Sequence, residues 1–332
     1  MSFKHPVVIG SGSWGTALAV FLAHKCPQVH LVGRSQELAD QINWNHCNSR
    51  YLPKSTLPQN IIATTDQSLV AQADLILFVV PTSATRETAE HLATLHVPKD
   101  AILLSCSKGI ELATGKRMSQ IIGDSFPENP IAILSGPNHA EEIAEGLPAA
   151  ATIGCSDESV GLALQEIFST DRFRSYTNLD LAGIELGGAI KNVFAIAAGV
   201  TMGLKLGDNA ISALVTRSLA EMTRLGTDLG GQPETFAGLS GLGDLIATCF
   251  SVHSRNHKVG LALGQGHSID EAVNELGMVA EGVPNTRSIY QAARRAGTRT
   301  PILDAVHAVI YENVPPAEAL DRLFRQPPRQ EV

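Results

Sequence analysis

Gly10-Ser11-Gly12-Ser13-Trp14-Gly15 follows the apolar run Val7-Val8-Ile9 and precedes a helix-like stretch, Thr16–Lys25. Strand, glycine turn and helix in this order constrain the chain more than any other feature. Gly10 permits a tight turn, Gly12 lets backbone approach a pyrophosphate, and Gly15 lets helix and strand pack closely. The N–H groups at the helix start are then available to phosphates. A second strand, Val29–Gly33, lies at the spacing of a dinucleotide-binding unit. An acidic residue at its end would bind the ribose hydroxyls of NAD. Arg34-Ser35 stands there instead. An arginine cannot accept those bonds but pairs with a 2′-phosphate, so NADP is expected to be accepted alongside or in preference to NAD. A solvated loop arginine is the competing reading.

Short β-branched runs continue through the first half: Ile61–Thr64, Leu75–Pro81, Ala101–Ser107, Ile131–Ser135, Ala150–Gly154 and Arg172–Tyr176. Amphipathic stretches such as Thr85–Leu95 and Glu158–Phe168 lie between them. This alternation predicts an α/β fold with a doubly wound, Rossmann-type parallel sheet. Leu75-Ile76-Leu77-Phe78-Val79-Val80 is apolar throughout, as a strand covered on both faces should be. The pattern changes near Asn178. Beyond it only helices are expected, over Leu181–Leu204, Asn209–Leu229, Lys258–Gly264, Ile269–Leu276, Thr286–Ala296, Ile302–Tyr311 and Pro316–Phe324. The expected domains are 1–178, dinucleotide-binding, and 179–332, an all-α substrate and catalytic domain, with a frayed polar tail over Arg325–Val332.

The net charge of −8 demotes nucleic acid and acidic membrane as general partners. Five scattered cysteines with no CxxC point to a reducing compartment. The most apolar stretch, Asn192–Leu204, has 13 residues, short of the ~20 that span a bilayer. A cytoplasmic protein without a membrane span is expected. The eleven histidines show no metal-ligand spacing. His253 and His257 are read as surface or site-rim residues, and no metal is expected.

Three later segments carry chemistry. Lys108, in Ser107-Lys108-Gly109-Ile110, ends the fifth strand, where open sheets line their ligand crevice. It could polarise a carbonyl or hold an anion, or it could be an ordinary solvated lysine. In Glu185-Leu186-Gly187-Gly188-Ala189-Ile190-Lys191-Asn192, helical Gly187 and Gly188 would share the face of Lys191. Two glycines cost a helix about 1 kcal/mol each, so a neighbouring backbone or a ligand is expected beside them. In apolar company Lys191 is poorly solvated, which lowers its pKa toward the range of a general base; the competing reading has it snorkel to the surface. In the third segment, Asp244 and Thr248 would share a helix face, and Ser254 reads as an N-cap with Arg255 and Asn256 in the first turn. An arginine, an amide and a helix N-terminus suit a phosphate monoester, although ordinary capping would look the same.

Taken in order, GSGSWGTA at Gly10–Ala17, SKGI at Ser107–Ile110, SGPNHA at Ser135–Ala140, ELGGAIKNVFA at Glu185–Ala195, GLSGLGDLIAT at Gly238–Thr248, SRN at Ser254–Asn256 and VAEG at Val279–Gly282 resemble the bacterial NAD(P)-dependent glycerol-3-phosphate dehydrogenases. GLGDL followed by SRN is far more specific than the glycine turn. The resemblance implies interconversion of sn-glycerol 3-phosphate and dihydroxyacetone phosphate, which serves phospholipid synthesis, with Lys191 as proton acceptor. It implies that Lys108, Lys191, Asp244, Ser254, Arg255 and Asn256 surround the substrate, with backbone near Gly136 and the side chain of Asn138. It places Ser13, Trp14, Arg34, Lys108, Ala140, Arg255, Val279 and Glu281 at the cofactor. Some members carry threonine or serine where this chain has Asn138. Members are usually homodimers without metal. The residues alone also suit another β-hydroxyacid dehydrogenase, or a non-catalytic NAD(P)-binding regulator.

Overall fold

The computed structural model describes residues 3–277 and 279–325; of the expected frayed tail only Arg325 lies among them. The chain forms two compact units. One comprises Met1–Lys108 and Lys116–Glu185, the other Gly109–Gly115 and Leu186–Val332. The division therefore falls inside a helix after Glu185 rather than at residue 178, and a short excursion after Lys108 groups with the second unit.

The first unit is an eight-stranded sheet. Its strands are β1 Pro6–Ile9, β2 Val29–Val32, β3 Ile61–Thr64, β4 Leu75–Phe78, β5 Ile102–Ser105, β6 Ile131–Ser135, β7 Ala149–Cys155 and β8 Phe173–Asn178. All eight lie where the apolar runs predict them, in the order β3-β2-β1-β4-β5-β6-β7-β8. Helices α1 Ser13–Ala23, α2 Gln36–Asn45, α3 Thr85–Ala93, α4 Met118–Ser125, α5 Ala140–Ala144 and α6 Glu158–Ile167 accompany it. The continuous apolar run of β4 is explained by double cover. Leu75 and Leu77 pack with Leu18 and Leu22 of α1 on one face, and Ile76 and Phe78 with Ile122 and Phe126 on the other.

The sheet is not wholly parallel. β6 and β7 pair antiparallel, Ile133 opposite Gly154, while β7 and β8 run parallel to each other. Between β6 and β7 the only helix is α5, five residues long. A helix of that length rises only ~7 Å and cannot return the chain along the sheet as a parallel crossover must. Gly146, at φ +72°, turns the chain before β7.

Helix α7, Leu181–Gly203, leads into the second unit, which holds α8 Asp208–Asp228, α9 Pro233–Phe236, α10 Asp244–Phe250, α11 Arg255–Gly264, α12 Ile269–Leu276, α13 Gly282–Ala296, α14 Pro301–Tyr311 and α15 Pro316–Phe324. A π-helical turn over Leu239–Gly243 runs directly into α10. No strand follows β8 among the described residues. Helices α7 and α11 cross at glycines. A Cβ on Gly203 would come within 2.8 Å of the Gly264 Cα, and one on Gly260 within 2.9 Å of the Val200 nitrogen. Gly187 is explained likewise, since a Cβ there would lie 2.7 Å from the Ser240 carbonyl oxygen. The backbone neighbour expected from the paired glycines is this π-helical turn.

The apolar stretch Asn192–Leu204 runs through the later part of the 23-residue α7 and one residue past its end at Gly203; the helix is long and apolar enough to cross a membrane by length and composition. Within the most apolar window of α7, 89% of residues are buried inside the fold.

Glu221 of α8 is buried, its carboxylate accepting from the backbone N–H of Ile302 at 3.1 Å and Leu303 at 2.9 Å, in the first turn of α14. Burial pushes its pKa up from 4.5 to about 7. A carboxyl whose folded pKa is raised contributes stability that is full below its unfolded pKa and is lost as pH rises through the folded one. The wild-type stability is expected to fall more between about pH 5 and pH 8 than that of Glu221→Gln, the difference in unfolding free energy approaching about 3 kcal/mol. Parallel scanning-calorimetry series of the two proteins check this; equal slopes would contradict it.

Candidate active site

In the first unit the glycine turn is built as its sequence requires. Gly10 adopts φ +118°, its N–H donates to the Val32 carbonyl at 2.8 Å, and a Cβ on it would run into the carbonyl of Val79. A Cβ on Gly15 would run into the Gly10 carbonyl. Gly12 differs, because a Cβ there would meet no protein atom within 4 Å. Packing does not demand that glycine; an approaching phosphate would. Gly12 is also the N-cap of α1 and makes no side-chain cap, which leaves the first amides of the helix to a ligand. These residues fit a dinucleotide pyrophosphate.

Two residues that sequence reasoning missed hold this turn. Asn48, fully buried, donates through Nδ2 to the Ser11 carbonyl at 3.0 Å and to Thr16 Oγ1 at 2.8 Å. The Tyr51 carbonyl accepts from Ser13 Oγ at 2.9 Å. Neither stands in a glycine-type motif, so only tertiary structure reveals them. Trp14 is half-buried on α1. Arg34 is exposed immediately after β2.

At the carboxyl ends of β5 and β6, Lys108 donates through Nζ to the Gly136 carbonyl at 2.8 Å. Gly136 adopts φ +141°, and a Cβ there would press on Ala150 and Ala151 backbone at 3.1 Å. Asn138 follows, with neither side-chain polar atom hydrogen-bonded among the described residues. Ala140 opens α5 and is buried.

In the second unit the structure brings Lys191, Asp244 and Thr248 together. Lys191 is 7% exposed. Its Nζ lies 3.0 Å from Asp244 Oδ1 and donates to Thr248 Oγ1 at 2.5 Å. Thr248 in turn lies 2.6 Å from the Asp244 carbonyl. Lysine burial is thus matched by a carboxylate and a hydroxyl: desolvation penalises the ammonium and the carboxylate supports it. The i, i+4 spacing of Asp244 and Thr248 on α10 is what places both on one amine.

Ser254 caps α11, its Oγ accepting from the His257 N–H at 3.2 Å. Arg255 is exposed and donates to the Val279 carbonyl at 2.9 Å. Asn256 is a buried strut. It donates to Asn192 Oδ1 at 2.9 Å and accepts from the Gly282 N–H, also at 2.9 Å, near Glu281 and the start of α13. The two networks meet at the adjacent residues Lys191 and Asn192. Of the two histidines read as surface or rim, His253 is exposed, but His257 is 6% exposed, because its place in α11 turns it onto the core side. Burial lowers its pKa.

A Rossmann-type unit carrying an open-ended glycine turn, with a helical unit carrying a buried Lys–Asp–Thr cluster, defines the class of nicotinamide-dependent oxidoreductases. Residues 7–161 match the NAD-dependent glycerol-3-phosphate dehydrogenase N-terminus, and residues 180–321 match the C-terminus of the same family. The chain belongs to that family. It is 45% identical to the glycerol-3-phosphate dehydrogenase [NAD(P)+] of Lysinibacillus sphaericus, over 98% of this chain and 97% of that one. The crystal structure of a glycerol-3-phosphate dehydrogenase from Coxiella burnetii superposes with a TM-score of 0.92 at 36% identity, over 97% of this chain and 99% of that one. A glycerol-3-phosphate dehydrogenase from Saccharomyces cerevisiae gives a TM-score of 0.83 at 29% identity, with the same coverage.

Proposed function

We propose that the chain interconverts sn-glycerol 3-phosphate and dihydroxyacetone phosphate with NAD(P), and that Lys191 carries the proton. The family membership supports the reaction. The observation that carries the mechanism is the buried Lys191 amine held by Asp244 and Thr248. When bound, the nicotinamide supplies or accepts the hydride at C2. In the reductive direction the Lys191 ammonium gives a proton to the carbonyl oxygen as it becomes a hydroxyl; in oxidation the neutral amine takes that proton back. Asp244 balances the ammonium and orients it. Lys108 stabilises developing alkoxide charge, with the Gly136 backbone and Asn138 beside it. Arg255, Ser254, Asn256 and the first amides of α11 take the phosphate dianion.

Ser13, Trp14, Arg34, Ala140, Val279 and Glu281 complete the cofactor contacts in this reading. Arg34 takes the 2′-phosphate of NADP. Arg34→Ala is expected to raise the NADPH Michaelis constant about tenfold with little change for NADH, the size of one charge-assisted contact. Steady-state kinetics with both cofactors decide it; an unchanged NADPH value would remove Arg34 from this role.

The phosphate reading is tested by substrate truncation. Wild-type protein is expected to reduce dihydroxyacetone phosphate far faster than dihydroxyacetone. Arg255→Ala should raise the Michaelis constant for the phosphorylated substrate about 10–100-fold, as loss of a charged bond does. Equal rates on both ketones would contradict the proposal. We also infer a cytoplasmic homodimer that supplies glycerol 3-phosphate to phospholipid synthesis. The burial of α7 in the fold accords with the location, and the assembly and the role are what the resemblance of the sequence motifs implies.

A further inference from the structure

The mechanism leaves a buried carboxylate at the root of α7 unused. Glu185 of α7 has a side chain 2% exposed, and Arg117, paired with it, is 19% exposed. The Glu185 carboxylate accepts from the Ser119 backbone N–H at 2.7 Å, from Ser119 Oγ at 2.6 Å and from Arg117 Nη1 at 2.5 Å. All three residues lie in the first unit. Arg117 and Ser119 are the N-cap and second residue of α4, so the carboxylate of one helix caps another. Asp180 fixes the start of α7 in the same unit, accepting from the Gly183 N–H at 2.9 Å.

Burying a carboxylate is costly, and burial pushes the Glu185 pKa up despite the arginine. Apolar residues of similar volume pack such sites at least as well, so a buried ion pair is weak evidence for stability. Its place in the chain offers another reason. The chain leaves the first unit after Lys108, returns at Lys116 and leaves again after Glu185. Arg117 stands next to the return and Glu185 at the second exit. One carboxylate thus ties both passages to the root of α7. The residues that follow, Gly187 and Gly188, are poor helix formers, and Lys191 lies six positions on, about 9 Å along the helix axis.

We propose that Glu185 is a positioning residue for the reaction. Clamped to Arg117 and Ser119, it fixes the rotation and height of the first turns of α7, and so the place at which Lys191 presents its amine. The proposal rests on Lys191 being the proton carrier. A proton donor displaced by about 1 Å loses on the order of 10²-fold in rate, whereas substrate and cofactor contacts made elsewhere are kept.

The test compares wild type, Glu185→Gln and the apolar double variant Glu185→Leu/Arg117→Met. The double variant is expected to fold, with a melting temperature somewhat lowered by loss of the bonds to Ser119. In both variants kcat should fall about 10–100-fold. The Michaelis constants for dihydroxyacetone phosphate and NADPH should stay within about threefold, and the deuterium isotope effect with C4-labelled NADPH should rise as the chemical step becomes limiting. Arg117→Lys, which keeps the positive charge on Glu185, should retain most of the wild-type kcat. A folded double variant with wild-type kcat and isotope effect would overturn the proposal, as would a loss confined to melting temperature. Failure of the underlying reading looks different, because Lys191→Ala would then itself retain turnover.

Discussion

Lys191→Ala is expected to lower kcat for dihydroxyacetone phosphate reduction by about 10²–10⁴-fold, the span associated with a general acid–base group. The amine is buried against Asp244 at 3.0 Å and Thr248 at 2.5 Å, a placement that water cannot reproduce. NADPH binding, assigned here to the glycine turn of the other unit, should survive and can be followed by the fluorescence of the bound cofactor. The variant should also be less stable by about 3–5 kcal/mol, because Asp244 keeps a buried charge that has lost the ammonium balancing it. A kcat within about fivefold of wild type would remove Lys191 from proton transfer.

Asp244→Asn has the second-largest expected effect, and its signature is a pH profile. The substitution preserves shape and can still accept a bond, but it removes the charge that supports the ammonium. Without that charge the neutral amine gains. With Lys191 as the proposed proton carrier, reduction needs the ammonium and oxidation needs the amine. The alkaline fall of the reduction rate should therefore move to lower pH, and kcat near neutrality should drop about 10²-fold. Oxidation of glycerol 3-phosphate should suffer less at the same pH. If both directions lost rate equally with unchanged pH profiles, Asp244 would serve only packing. The profiles are obtained from initial rates in both directions across the same buffers.

Much of this architecture is legible in the chain because its signals are local. Strand β4 reads as doubly covered from its uninterrupted apolar run, and the structure places core on both of its faces. The glycines at 10 and 15 and the Ser254 cap follow from backbone sterics and hydrogen-bond supply within a few residues. What escaped depends on partners distant in sequence. The antiparallel β6–β7 pair turns on how far a five-residue helix can carry the chain, which apolar periodicity does not report. Asn48 supports the cofactor turn from 32 residues beyond Thr16. Asn256 stands in a phosphate-like cap motif, yet its carboxamide is engaged with Asn192 and Gly282. Lys191 was readable as an unusual lysine from its glycines and apolar neighbours. That its charge is met by Asp244 and Thr248 required the fold, since 57 residues separate Lys191 from Thr248.

The central claim is that a cofactor-binding unit and a buried lysine together reduce a phosphorylated ketone. Mixing wild-type protein with NADPH and dihydroxyacetone phosphate, and following the near-ultraviolet absorbance of the reduced nicotinamide, tests it directly. Absorbance should fall on mixing, at a rate proportional to enzyme, and Lys191→Ala should abolish nearly all of the fall. Bound NADPH with constant absorbance, or consumption only with a β-hydroxyacid couple, would contradict the account.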